Sequence, residues 1–353
     1  MNPPKRLQLD SIRMLRGLAV LLVLLSHLMS VERKYAGDRL LADWMIAGFS
    51  GVDLFFGISG FIMVYVTWKA QQGWRQSAAF LLARAGRIYP LYWLVSFALL
   101  LVWLQAPELV FASEPAEPNI LRSFLLWPEA RVPLLPVGWT LIHEVYFYLV
   151  FAAVLLLPHK FRWLGFVLWI GVVAVGFMAY LPMNSPPALP KVVFSALALE
   201  FIAGAIAAYA FFRWQGKGWK WCLLFGVLGF IAANIWALHD PASSFWGSRS
   251  RAFVFAPFLL LLIYAVVGWE KTGQRFARVL VWVGDQSYSL YLTHLLTLSL
   301  LGRIWALVAR PGIADNVLAL PILVMGSLLV GQLTFIVFEK PMLAVVKNWR
   351  ARL

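Results

Sequence analysis

Leu15-Arg16-Gly17-Leu18-Ala19-Val20-Leu21-Leu22-Val23-Leu24-Leu25-Ser26-His27-Leu28-Met29 is an apolar run interrupted only by small residues, an arginine near its start and a histidine near its end. Runs of similar length recur along the chain near 14–30, 46–67, 87–105, 139–157, 163–181, 192–212, 220–238, 252–268, 287–308 and 317–338. Each is about the 17–25 residues that a helix needs to cross a bilayer. Hydrophobic residues make up 62% of the 353, charged residues 13%, and the mean hydropathy is +0.78. A soluble core of that composition would leave too little polar surface to cover itself. A bilayer removes the conflict, because lipid-facing surfaces must be apolar and a helix satisfies its own backbone groups. The 18 tryptophans and 11 tyrosines suit the two interfacial belts. The expected fold is therefore all-α, a polytopic membrane protein of about ten transmembrane helices. It is read as a single integral-membrane domain over 1–353 with no appended soluble domain.

A net charge of +14 raises nucleic acid as a partner. The basic residues, however, fall in short loops between spans rather than on one amphipathic face, and no nucleic acid is expected. With the first helix running outward, 20 of the 30 lysines and arginines lie on the cytoplasmic side, counting Arg16 with the N-terminus. The positive-inside rule then places both termini in the cytoplasm of a multi-pass inner-membrane protein. The longest loop, 106–138, falls outside, with six prolines and Glu108, Glu114, Glu117 and Glu129. Lys5 and Arg6 ahead of Leu18–Leu25 imitate a signal peptide, but no small-x-small cleavage site follows, so this segment reads as a retained first helix. The single cysteine, Cys222, rules out an intramolecular disulfide and a cysteine-based metal framework.

Ionisable groups inside spans are costly, by about 2.5–3.5 kcal/mol on insertion scales, and usually face protein or a wet cavity. Here they are Arg16, His27, Asp53, His143, Glu144, Glu200 and His294. Arg16 and His27 are eleven residues apart, within about 20° of three whole turns, so they share a face about 16 Å apart along the axis. Asp53 and Glu144 each enter a helix from the outer side, at a depth similar to that of His27. The three resemble an acid/base cluster facing outward. Blander roles stand beside this one: a hydrogen-bonded helix contact for His27, a helix cap for Asp53 and an ion pair with an outer-loop arginine for Glu144. Arg84 and Arg87 share a face at the cytoplasmic edge of the third span and suit phosphate, though taken by themselves they are better explained by ordinary positive-inside anchoring. Gly57 and Gly60 lie on the Asp53 face, either for close helix packing or as room for a thin substrate.

Six ordered blocks carry a resemblance. They are Leu15-Arg16-Gly17-Leu18-Ala19 leading to His27; Gly51-Val52-Asp53-Leu54-Phe55-Phe56 with Ser59-Gly60-Phe61; and Arg84-x-x-Arg87-Ile88-Tyr89-Pro90-Leu91-Tyr92. Trp139-Thr140-Leu141-x-x-Glu144-x-x-Phe147-Tyr148, Ser287-Tyr288-Ser289-Leu290-Tyr291-Leu292-Thr293-His294 and Glu339-Lys340-Pro341 complete the set. Together they resemble the acyltransferase family 3 membrane proteins, in their exopolysaccharide O-acetyltransferase branch. The resemblance implies ten core helices and transfer of an acyl group, acetyl by family habit, from cytoplasmic acyl-CoA to a hydroxyl of a polysaccharide or lipid-linked glycan acceptor. It also implies that His27 and the paired arginines matter for activity. One departure is Arg13, which stands where many relatives carry an acidic residue. On this reading acetyl-CoA is the donor co-substrate, no metal takes part, and Arg84, Arg87 and Arg16 hold the donor's phosphates. His27 is then the general base, oriented by Asp53 or Glu144. A glycan or small-molecule transporter or flippase is the competing class, although no half-helix repeats of the transporter kind are visible.

Overall fold

The structure, a computed structural model, describes residues 9–36, 39–111, 117–180, 187–239, 250–310 and 312–350. Lys5, Arg6 and Glu114 lie outside the described residues. Regular structure among the described residues is helical throughout. In chain order come α1 (Asp10–Tyr35), a 3-10 turn (Asp43–Phe49), α2 (Ser50–Thr67), α3 (Trp74–Gln105), α4 (Pro107–Phe111), α5 (Ile120–Leu125) and α6 (Gly138–Val154). Then follow α7 (Arg162–Tyr180), α8 (Ala188–Val193), α9 (Ala198–Trp214), α10 (Trp219–His239) and α11 (Arg251–Glu270). The chain closes with α12 (Arg278–Asp285), α13 (Ser287–Ala306), α14 (Ala314–Thr334), a π-helical turn (Phe335–Glu339) and α15 (Lys340–Arg350).

Eight helical segments are long and apolar enough to cross a membrane, and α6 and α13 occupy the remaining two expected spans. The chain is an all-α polytopic membrane protein. Large apolar side chains point outward along whole helices: on α7, Leu168 is 70% and Val175 71% exposed. Such a surface is stable only against lipid. Two boundaries differ from expectation. The third span, read as 87–105, is the C-terminal part of a 32-residue helix that starts at Trp74, so Arg84 and Arg87 lie inside the helix rather than at its start. The sixth, read as 192–212, is broken between α8 and α9, which puts Glu200 in the first turn of α9.

The described residues fall into two compact units. The first draws on Met1–Lys34, Asp38–Val66 and Leu199–Ser287 and contains α1, α2 and α9–α12. Its helices touch backbone to backbone at glycines. A methyl group at Gly204 of α9 would stand 1.8 Å from the Gly57 carbonyl oxygen, and one at Gly60 would stand 1.8 Å from that of Phe201. The glycines on the Asp53 face are therefore filled by α9, which leaves packing rather than a substrate channel as their role there. On the other side of the unit, Gly284 of α12 abuts the Arg13 carbonyl in the same way. Gly204→Ala is expected to push α2 and α9 apart at a cost of about 1–3 kcal/mol. A lowered melting temperature of the detergent-solubilised protein checks this; an unchanged one refutes the contact.

The second unit draws on Tyr35–Gly37, Thr67–Ala198 and Tyr288–Leu353. The aromatic run after Arg87 explains itself here. Tyr92 donates to the Ser123 carbonyl at 2.7 Å, Trp93 to that of Phe124 at 2.9 Å and Tyr89 to that of Leu125 at 3.1 Å. Three side chains of α3 thus satisfy the carbonyls that the short α5 leaves open at its C-terminus. From α13, the Tyr288 hydroxyl donates to the Ile88 carbonyl at 2.7 Å, and the Tyr291 hydroxyl meets that of Thr140 on α6 at 2.8 Å.

Candidate active site

In the first unit, α1 carries Arg16 and His27, both half-buried. The imidazole Nδ1 lies 3.0 Å from the Val23 carbonyl oxygen one turn back. A carbonyl can only accept, so Nδ1 carries the hydrogen and Nε2 is the basic nitrogen of the neutral ring. The Phe49 ring meets the imidazole edge-on, 4.9 Å between centroids. The Val23 carbonyl of the same helix thus holds the imidazole at Nδ1.

Asp53, in the first turn of α2, is 1% exposed and forms an ion pair with Arg251, the first residue of α11. The same guanidinium donates to the Phe49 carbonyl at 3.0 Å. Arg251 thus fixes both the start of α2 and the residue whose ring packs on His27. Arg251 carries no distinguishing signal in the sequence, where it stands two residues after Arg249 at the edge of an apolar run. At the other end of α1, Arg13 is ion-paired with Asp10 and Asp285. The chain's departure at position 13 is thereby neutralised by an acid from α12. Next to this pair lies a cavity of about 200 Å³ lined by Asp10, Arg13, Phe276, Arg278, Val281, Trp282 and Asp285.

In the second unit, Arg84 lies over the rings of Phe80 and Tyr148, at 5.7 and 6.0 Å from their centroids. It makes no ion pair among the described residues, and its buried Nε has no hydrogen-bond partner. Glu144 of α6 accepts a hydrogen bond from the Tyr148 hydroxyl, one turn on. Arg87 faces Glu339 at 3.9 Å, a loose pair, and lies over the Tyr288 ring at 6.0 Å. Glu339 is 3% exposed and also takes the backbone N–H and hydroxyl of Ser289. It closes the π-helical turn, where one extra residue per turn re-aims the side chain; such turns are frequent at functional sites. Glu339, Ser289 and Tyr148 received no role from the sequence, although each sits in one of the ordered blocks.

His143 is buried against Trp139 and Phe147 and has the setting of a packed histidine. His294, 1% exposed, bonds to the carbonyls of Leu290 and Tyr291 on its own helix.

Helices built this way, with ionisable groups drawn inward and apolar faces turned out, define a multi-pass membrane protein organised around buried polar clusters. The family follows from comparison with known proteins. A family model described as an acyltransferase domain (Acyl_transf_3) matches residues 9–336, and the chain belongs to that family. It is 29% identical over 327 residues to the exopolysaccharide production protein ExoZ of Rhizobium meliloti (strain 1021), covering 86% of this chain and 92% of ExoZ. It is also 26% identical over 318 residues to proteins assigned as O-acetyltransferases in Staphylococcus aureus, SACOL0978 of strain COL and SAS0844 of strain MSSA476. Those matches cover 81% of this chain and 50% of each staphylococcal protein. No solved structure matches the chain.

Proposed function

We propose that this membrane acyltransferase moves an acyl group, acetyl in the first instance, from cytoplasmic acyl-CoA to a hydroxyl of a surface or exopolysaccharide glycan. The name of ExoZ, similar over nearly its whole length, supports the glycan acceptor, and the staphylococcal relatives support O-acetyl transfer. The observation that supports the donor most is Arg84. A guanidinium set against two rings and outside any ion pair among the described residues suits phosphate, the partner whose geometry fits arginine best. Arg87, whose pair with Glu339 is loose, is the second phosphate ligand in this reading.

The chemistry balances through one imidazole. His27 Nε2 takes the proton of the acceptor hydroxyl as its oxygen bonds to the thioester carbonyl carbon. The C–S bond then breaks, and the leaving thiolate receives that proton. Asp53 and Glu144, expected to orient His27, are held by Arg251 and Tyr148 respectively. Asp53 in this reading steadies the start of α2, next to Phe49 of the preceding 3-10 turn, whose ring packs on the imidazole, and Glu144 with Tyr148 holds the surroundings of Arg84. The membrane is read as the bacterial inner membrane with both termini cytoplasmic.

The test is direct: purified protein in lipid vesicles with radiolabelled acetyl-CoA and the glycan of the producing cell. Label in ester linkage to the glycan is the expected result; a protein that moves glycan across the bilayer and transfers no label is a transporter. Arg84→Gln should weaken CoA binding about 10- to 100-fold, the worth of one charge-assisted contact of about 1.5–3 kcal/mol. Isothermal titration with CoA reads this, and unchanged affinity removes Arg84 from the donor site.

A further inference from the structure

Beyond the donor and acceptor sites, the first unit holds a buried charged cluster that the reaction does not use directly. Asp53 on α2, Glu200 on α9 and Arg251 on α11 are 1%, 0% and 7% exposed. The three helices meet here because their small residues allow it: Gly57 and Gly204, one turn beyond Asp53 and Glu200 respectively, are in backbone contact. Arg251 donates to one Asp53 oxygen and to the Phe49 carbonyl. The other Asp53 oxygen and both Glu200 oxygens are buried with no N–H or O–H donor among the described residues. The Glu200 backbone lies against Gly57, one turn on from Asp53, so the two carboxyls share this buried junction of α2 and α9 and interact side chain to side chain.

Charge and hydrogen-bond counting then leave one arrangement. A single guanidinium neutralises a single carboxylate, so two ionised acids would leave a buried, uncompensated negative charge. Two carboxylates are both acceptors and cannot bond unless one holds a proton. Arg251 is committed to Asp53, which makes Asp53 the anion. We propose that Glu200 is a neutral acid that donates its proton to the free oxygen of Asp53, making Asp53, Glu200 and Arg251 an electrically neutral clasp across α2, α9 and α11. Glu200 is then a positioning residue. It fixes Asp53, Asp53 fixes Arg251, and Arg251 holds Phe49, whose ring packs on His27.

Infrared spectroscopy of the purified protein at neutral pH, with 13C-labelled glutamate, tests this without reference to activity, so its outcome is separable from that of the acyl-transfer reading. A protonated glutamic C=O stretch that moves with the label and disappears in Glu200→Gln is expected. The amide of that variant can still donate to Asp53, so its melting temperature should stay near that of the parent, while Glu200→Leu should lower it. Absence of the band in the parent protein overturns the proposal on its own, whether or not the variants fold. A Glu200→Gln variant as unstable as Glu200→Leu, or a Glu200→Leu variant as stable as the parent, overturns it too.

Discussion

His27→Ala lowers the rate of acyl transfer by about 10²- to 10⁴-fold, the usual worth of a positioned general base. The expectation rests on the tautomer. The Val23 carbonyl holds Nδ1–H at 3.0 Å, so the lone pair on Nε2 is the one offered to a hydroxyl. In the proposed reaction, His27→Ala would take away both the acceptor of the hydroxyl proton and the donor that returns it to the thiolate. Substrate binding does not depend on that exchange, so kcat should fall while KM for acetyl-CoA changes little. His27→Gln should not restore the rate, since an amide packs against Phe49 but takes no proton. Purified variants assayed with labelled acetyl-CoA, with melting temperatures measured alongside, give the answer. A wild-type rate in His27→Ala ends the assignment.

The second large effect is on stability. Arg251→Met leaves the Asp53 carboxylate buried without its cation and strips a donor from the Phe49 carbonyl. Breaking a buried pair by removing one partner costs about 3–5 kcal/mol, a large part of the stability of an ordinary domain. The double variant Arg251→Met/Asp53→Leu removes the stranded charge as well, and apolar replacement of a whole buried pair is often neutral. It should therefore recover most of the lost melting temperature, measured by tryptophan fluorescence in detergent. Equal melting temperatures for the single and the double variant would show that the pair is not coupled.

The fold was legible because hydropathy is a local property. All ten apolar runs coincide with helices, and the misplaced edges have physical causes. Trp74–Leu82 continues the helix of the third span by one amphipathic stretch ahead of the apolar window, so a hydropathy limit drawn at 87 cut α3 short. The break at 194–197 lies inside a window that is apolar on both sides, and hydropathy does not register it. Of the ionisable residues singled out in the spans, Asp53 and Glu200 prove to be buried parts of one cluster, and Arg84, read at the edge of a span, makes no ion pair among the described residues.

Sequence alone determined the class of protein, the order of its apolar spans, the family, and the residues too costly to place in a membrane without a purpose. Those follow from the free energy of transferring each side chain, which depends on neighbours in the chain and little else. Pairing was decided by tertiary structure: Arg251 on Asp53, Glu339 between Arg87 and Ser289, and α9 filling the glycine face of α2. A buried charge is compensated by whichever opposite charge the packing brings within a few ångströms, and residues 198 positions apart, as Asp53 and Arg251 are, carry no mark of that meeting in the chain itself.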